Sequence, residues 1–196
     1  MPDEKSPQSP LLAHSYMEIH LFLQLAMCEQ CHVGQLKPLS PNLLPPTTPD
    51  STIIVATTCS QCQQSRELSF GIPKNALPSK PEDLTHINQT SEPSRLIDLA
   101  QWLTLDQMLC DAFLSESDAK LARRTGIKAS LCLGEALKFF DDPNNDLPPT
   151  EAFFLESSHA RFKKNPQLYS RQRILALRAK RPMATASELS AKDAES

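Results

Sequence analysis

Glycine is scarce in this chain, at 4 of 196 residues. Phosphate-cradling loops need several glycines within a few positions, and the turns of β-sandwiches lean on them; neither is expected. No apolar run approaches the ~20 residues of a membrane-spanning helix. The run Leu21–Met27 near the start is far shorter. Met1-Pro2-Asp3-Glu4-Lys5 lacks the basic and then apolar pattern of a secretory signal. There is no H-E-x-x-H and no G-x-S-x-G, and His14, His20, His32, His86 and His159 are scattered without metal-ligand spacing. These absences predict a non-catalytic, cytoplasmic protein that does not engage a membrane. A net charge of −3 gives no bulk reason to expect nucleic-acid binding.

Proline and paired cysteine are what the chain has instead. Its 17 prolines with few glycines suit helices joined by stiff linkers. Four of its 6 cysteines form two C-x-x-C pairs, Cys28-Glu29-Gln30-Cys31 and Cys59-Ser60-Gln61-Cys62. In a reducing compartment paired thiols serve metals more often than disulfides. Each pair sits in a β-like context. From Tyr16 to Ala26, Ile19, Leu21, Leu23 and Leu25 alternate with Glu18, His20, Phe22 and Gln24, a period of two that predicts a strand entering the first pair. A return strand is expected around 35–39. The run Pro38–Asp50 holds five prolines and predicts a long exposed loop. Ser51–Thr58, with Ile53, Ile54 and Val55, predicts a strand into the second pair, and Arg66–Ile72 a strand out of it.

Two hairpins with a C-x-x-C at each turn resemble a zinc ribbon over residues 16–73. Cys28, Cys31, Cys59 and Cys62 are then the ligands of one structural Zn²⁺, because four thiolates close a tetrahedron with no open position. The 27 residues between Cys31 and Cys59 exceed the roughly 15–20 common between such pairs. The Pro-rich loop absorbs the excess, since closure entropy grows only logarithmically with length. His32 is an alternative ligand by adjacency, and two independent redox dithiols are the alternative use of the cysteines. A thioredoxin-like pair would open a helix after a strand, a context neither pair has here.

Beyond residue 73 the period changes. Residues 1–15 and 182–196 are expected as flexible tails, and 74–94 as a Pro-rich linker. Residues 95–181 are expected as an all-α bundle of about four helices, making the whole α+β. Ser94 is the expected cap of the first helix, whose core stripe is Trp102, Leu105, Leu109 and Phe113. Asp98, Asp106 and Asp111 are its expected solvent positions. Ser117 caps the second, with a narrow stripe of Ala122, Thr125, Ala129, Cys132, Leu133, Ala136, Leu137 and Phe140. Thr150 caps a third, anchored by Phe153, Phe154 and Phe162, and Ser170 a fourth, with Ile174, Leu175 and Leu177. Cys110 and Cys132 are expected as core residues. Asp142, Asn144 and Asp146 imitate the start of a calcium loop. Leu147 stands where that loop needs glycine and Phe153 where it needs glutamate, so a helix-ending turn is expected.

Charge is unevenly spread. Residues 157–181 carry Arg161, Lys163, Lys164, Arg171, Arg173, Arg178, Lys180 and Arg181 with no acid, leaving −11 on the rest of the chain. With Phe162 and Tyr169 interleaved, such a stretch can grip phosphates and stack bases. It can equally face an acidic partner, the chain's own acids, or water. The resulting expectation is a zinc-stabilised interaction or adaptor protein that binds another protein. The alternative is a nucleic-acid-binding protein of transcription or translation using the basic helices.

Overall fold

The capping pattern Ser15-x-x-Glu18 decides the first helix. Ser15 Oγ accepts the Glu18 N–H at 3.1 Å, and the Glu18 carboxylate accepts the His14 N–H. These bonds satisfy donors that a helix N-terminus would otherwise leave bare. The computed structural model describes residues 9–40, 52–73, 86–142 and 144–183. In it Tyr16–Leu25 is helix α1, which corrects the strand expected there. The alternation misled because α1 is buried around most of its girth. Tyr16, Met17, Glu18, Ile19, Leu21 and Leu23 are all inside. Leucine, methionine, glutamate and glutamine are also good helix formers, and the segment has only one β-branched residue, Ile19.

The fold is mixed α and β, dividing into two compact units, Met1–Ser79 and Lys80–Ser196. The first unit holds α1 and the strands β1 (Leu11–Leu12), β2 (Leu36–Pro38), β3 (Thr52–Cys59) and β4 (Ser65–Gly71). Their order in the sheet is β1-β4-β3-β2. β3 pairs antiparallel with β2 and β4, whereas β1 runs parallel to β4 through Leu11↔Phe70 and Leu12↔Gly71. Residues 9–15 are therefore built into the unit, where a flexible tail was expected. Alternation along β3 buries Ile53, Val55 and Thr57 and leaves Ile54 exposed. Phe70 is fully buried and meets Phe22 of α1 edge-on at 5.9 Å. Burying such a ring contributes about 1.5–3 kcal/mol. Pro38, expected in the Pro-rich loop, ends β2, and residues 41–50 of that loop lie outside the described residues.

The second unit carries four α-helices among its described residues: α2 (Leu99–Ser115), α3 (Ala119–Leu137), α4 (Glu156–Lys164) and α5 (Arg171–Arg178). α2 and α3, joined by the short segment 116–118, pack on one another, and α5 packs on α3. Trp102 and Leu105 of α2 are fully buried, as are Cys132 and Leu133 of α3, with Ile127 nearly so. Cys110 and Cys132 are both buried, and burial, with Asp106 and Glu135 nearby, pushes the Cys132 thiol well up. α2 begins four residues later than expected. Asp98 is its cap in a complete capping box with Gln101, while Ser94 caps only the preceding turn through Leu96 and Ile97. Asp118 caps α3, taking the Lys120 and Leu121 N–H groups where Ser117 was expected. The third helix is broken in two, a 3₁₀ turn at Thr150–Ala152 and then α4. Phe153 and Phe162 stack at 4.5 Å, and Tyr169 closes the cluster edge-on.

Two acids placed toward solvent from sequence prove to be interior. Asp98 is fully buried and Asp106 nearly so. The Asp98 second oxygen accepts the Phe154 and Leu155 N–H groups, tying the start of α2 to the entry of α4. Asp106 receives Arg181 through two bonds of 2.9 Å. The segment expected as linker also contributes. Asn88 is buried, its N–H and C=O bonded to Glu135 of α3 and to Lys138, the residue that caps that helix's C-terminus. The rest of that linker, 74–85, lies outside the described residues, as do 1–8 and 184–196. Asp146 ends the calcium-like run by accepting the Arg171 and Gln172 N–H groups at the start of α5.

Candidate metal centre

Each C-x-x-C lies on a tight turn built the same way. In the first, the Cys28 N–H donates to Gly34 O and the His32 N–H returns to Cys28 O, both at 2.8 Å. In the second, the Cys59 N–H donates to Gln64 O and the Gln63 N–H returns to Cys59 O. The residue after each second cysteine takes the left-handed backbone region, His32 at φ 55° and Gln63 at φ 59°. The second turn joins β3 to β4. The first is closed by the single bridge Met27↔Gln35 and leads into β2. Its entering arm is α1, so the two-hairpin picture holds for the second pair only.

The turns meet face to face. Cys28 Sγ lies 3.7 Å from Cys62 Sγ, and Cys31 Sγ lies 3.6 Å from Cys59 Sγ. All four sulfurs stand within 4.8 Å of one another. Disulfide sulfurs would be about 2.05 Å apart, so these are four free thiols. Four sulfurs ~2.3 Å from one tetrahedral ion would be ~3.8 Å apart. The shortest observed spacings match that edge, so the residues present fit a metal ion. Backbone donors already point at the sulfurs. Gly34 N–H reaches Cys31 Sγ at 3.3 Å, and the Gln61 and Cys62 N–H groups reach Cys59 Sγ at 3.4 Å.

These donors bias the thiols toward the ligand form. The Gly34 and Val33 N–H groups draw Cys31 down to about 6. The Cys62 N–H also lowers Cys59, against the opposing effect of burial. At Cys62 the Gln64 N–H acts downward but is outweighed by the Cys59, Cys28 and Cys31 sulfurs and by burial, and the thiol rises to about 11. Crowded thiolates repel, so the last proton is held unless a cation takes its place.

No family model, curated protein or solved structure matches this chain.

Space, more than backbone freedom, determines one residue here. A Cβ on Gly34 would fall 2.3 Å from Cys59 Sγ and 2.7 Å from Gln61 Cβ. Only glycine lets the first turn press against the second. His32 serves the turn with its backbone, while the clustered ligand atoms are the four cysteine sulfurs. Glu29, inside the first pair, forms an ion pair with Arg66 of β4.

The eight cations singled out from sequence do not act alike. Arg181 is consumed by Asp106, its guanidinium largely buried; the carboxylate raises its pKa further against the effect of burial. Arg178 lies over Gly134 of α3. Arg173 donates to Leu168 O at 2.7 Å, and Arg161 to Ser157 O within its own helix. Lys163, Lys164 and Lys180 are exposed, and Arg171 is half-buried. No helix among the described residues is long and apolar enough to cross a membrane.

Proposed function

We propose that Cys28, Cys31, Cys59 and Cys62 hold one structural zinc ion, and that the chain is a non-catalytic, cytoplasmic interaction module whose first unit depends on that ion. The carrying observation is the closed set of four sulfurs at near-tetrahedral spacing. Zinc favours four-coordinate thiolate sites, and a site filled by four protein ligands has no position left for substrate or water. The short sheet of the first unit has a small core, so binding the metal becomes part of its folding free energy. Within the described residues the helical unit spends Arg181 on Asp106. That internal use of a cation favours the protein-interaction role.

A nucleic-acid-binding role would draw on Arg161, Lys163, Lys164, Arg171 and Lys180. It predicts an affinity for mixed-sequence DNA or RNA that falls steeply with salt. The interaction role predicts no such binding at low salt. It also predicts a partner retained from the native source by the metal-loaded chain and lost with Cys59→Ser, whose first unit unfolds. A partner held equally by both forms would separate the interaction from the metal and refute the proposed dependence.

A further inference from the structure

The second unit has an open depression of about 370 Å³. Its apolar lining includes Phe139, buried, and Phe154, which is 45% exposed. The two rings lie 6.2 Å apart and tilted. Glu92, Asp141 and Glu151 line the same space, with Arg95 the one cation among the described lining residues. The lining therefore carries a formal charge of −2. Glu92 and Arg95 approach only to 3.8 Å, both well exposed.

The walls are held from behind. Ser94 Oγ binds the Leu96 and Ile97 N–H groups, fixing the turn that carries Arg95. The buried Asp98 carboxylate binds the N–H of Phe154 itself. An exposed aromatic ring on a braced backbone loses little conformational freedom when covered, which favours its use as a contact.

We propose that this depression takes an arginine side chain presented by a partner protein. The planar guanidinium stacks on Phe154, its stem covers the apolar floor, and its charge meets Asp141 and Glu151. The net negative lining selects a cation over a phosphate or a carboxylate. Arginine is preferred to lysine because a planar cation can stack and donate to two carboxylates at once. This rests on the interaction reading of the chain and uses none of the cysteines, so it fails or stands separately from the metal site.

The test is a titration of isotope-labelled, full-length, metal-loaded protein with N-acetyl-arginine methylamide, followed by amide shifts. N-acetyl-citrulline methylamide is the neutral isostere, and N-acetyl-phenylalanine methylamide the purely apolar probe. Shifts should cluster at Glu92, Arg95, Ala152 and Phe154. Binding should weaken about 3- to 10-fold with citrulline and with Asp141→Asn plus Glu151→Gln, whose exposed sites preserve the fold. Raising salt to 0.5 M should weaken arginine binding but not phenylalanine binding. Equal binding of arginine and citrulline, stronger binding of the phenylalanine probe, or shifts scattered over the chain would overturn the proposal.

Discussion

Replacing Gly34 by alanine places a methyl group where Cys59 Sγ already stands. The added carbon would lie 2.3 Å from that sulfur, 2.7 Å from Gln61 Cβ and 2.9 Å from Gln61 N. Ordinary contact between such atoms is about 3.5–4.0 Å, so the two turns must part by roughly 1–1.5 Å. A metal site tolerates only about ±0.2 Å in its ligand distances. At least one cysteine would then have to leave the proposed zinc ion. Structural zinc binding is worth about 10–16 kcal/mol in small modules. Shared over four ligands, losing one costs roughly 3–4 kcal/mol, or a 10²- to 10³-fold loss of affinity. Anaerobic competition against a chromophoric chelator measures this directly. The helical signal of the second unit, followed by circular dichroism, should hold. Zinc affinity in Gly34→Ala within threefold of the wild type would refute the close approach of the two turns.

Three further substitutions probe the helical unit. Arg181→Met leaves the buried Asp106 carboxylate without its partner and should destabilise the unit by about 3–5 kcal/mol in urea unfolding, whereas Arg181→Met with Asp106→Leu should recover most of that. Asp98→Ala removes a cap and the acceptor of the Phe154 and Leu155 N–H groups, a loss of about 2–4 kcal/mol that Asp98→Asn should halve. Gly134→Ala should stabilise the unit by about 0.5–1 kcal/mol, because the new Cβ meets the Arg178 guanidinium at an ordinary 3.6 Å; a loss of stability would show that the guanidinium cannot give way.

The cysteine pairs and the strands β3 and β4 were legible because their signals are local. A C-x-x-C places two sulfurs on one turn, and a β-branched alternating run has few competing folds. The cap Ser170 was legible for the same reason: its hydroxyl accepts the Arg173 N–H three residues on, as a cap requires. Helix α1 was obscured by period, since a helix buried on most sides also shows apolar residues two apart. The pattern Ser15-x-x-Glu18 was the signal that could have found it, as Asp98-x-x-Gln101 could have found the start of α2.

Other features were not local. Asp98 and Asp106 look like solvent residues until Phe154, Leu155 and Arg181, more than 50 positions away in sequence, supply their partners. Gly34 carries no sequence signal of crowding. Its requirement for space arises only when the second cysteine turn closes on it. The basic stretch left open whether its cations face a partner, water or the chain's own acids; only the fold brings Asp106, 75 positions away, onto Arg181.

Central to the proposed function is one zinc ion shared by the four sulfurs. Elemental analysis of protein purified without chelator or added metal, combined with X-ray absorption at the zinc edge, tests it most directly. The account predicts one zinc per chain with four sulfur neighbours at ~2.3 Å. Protein free of metal under anaerobic conditions, or a zinc shell containing nitrogen or oxygen, would contradict it.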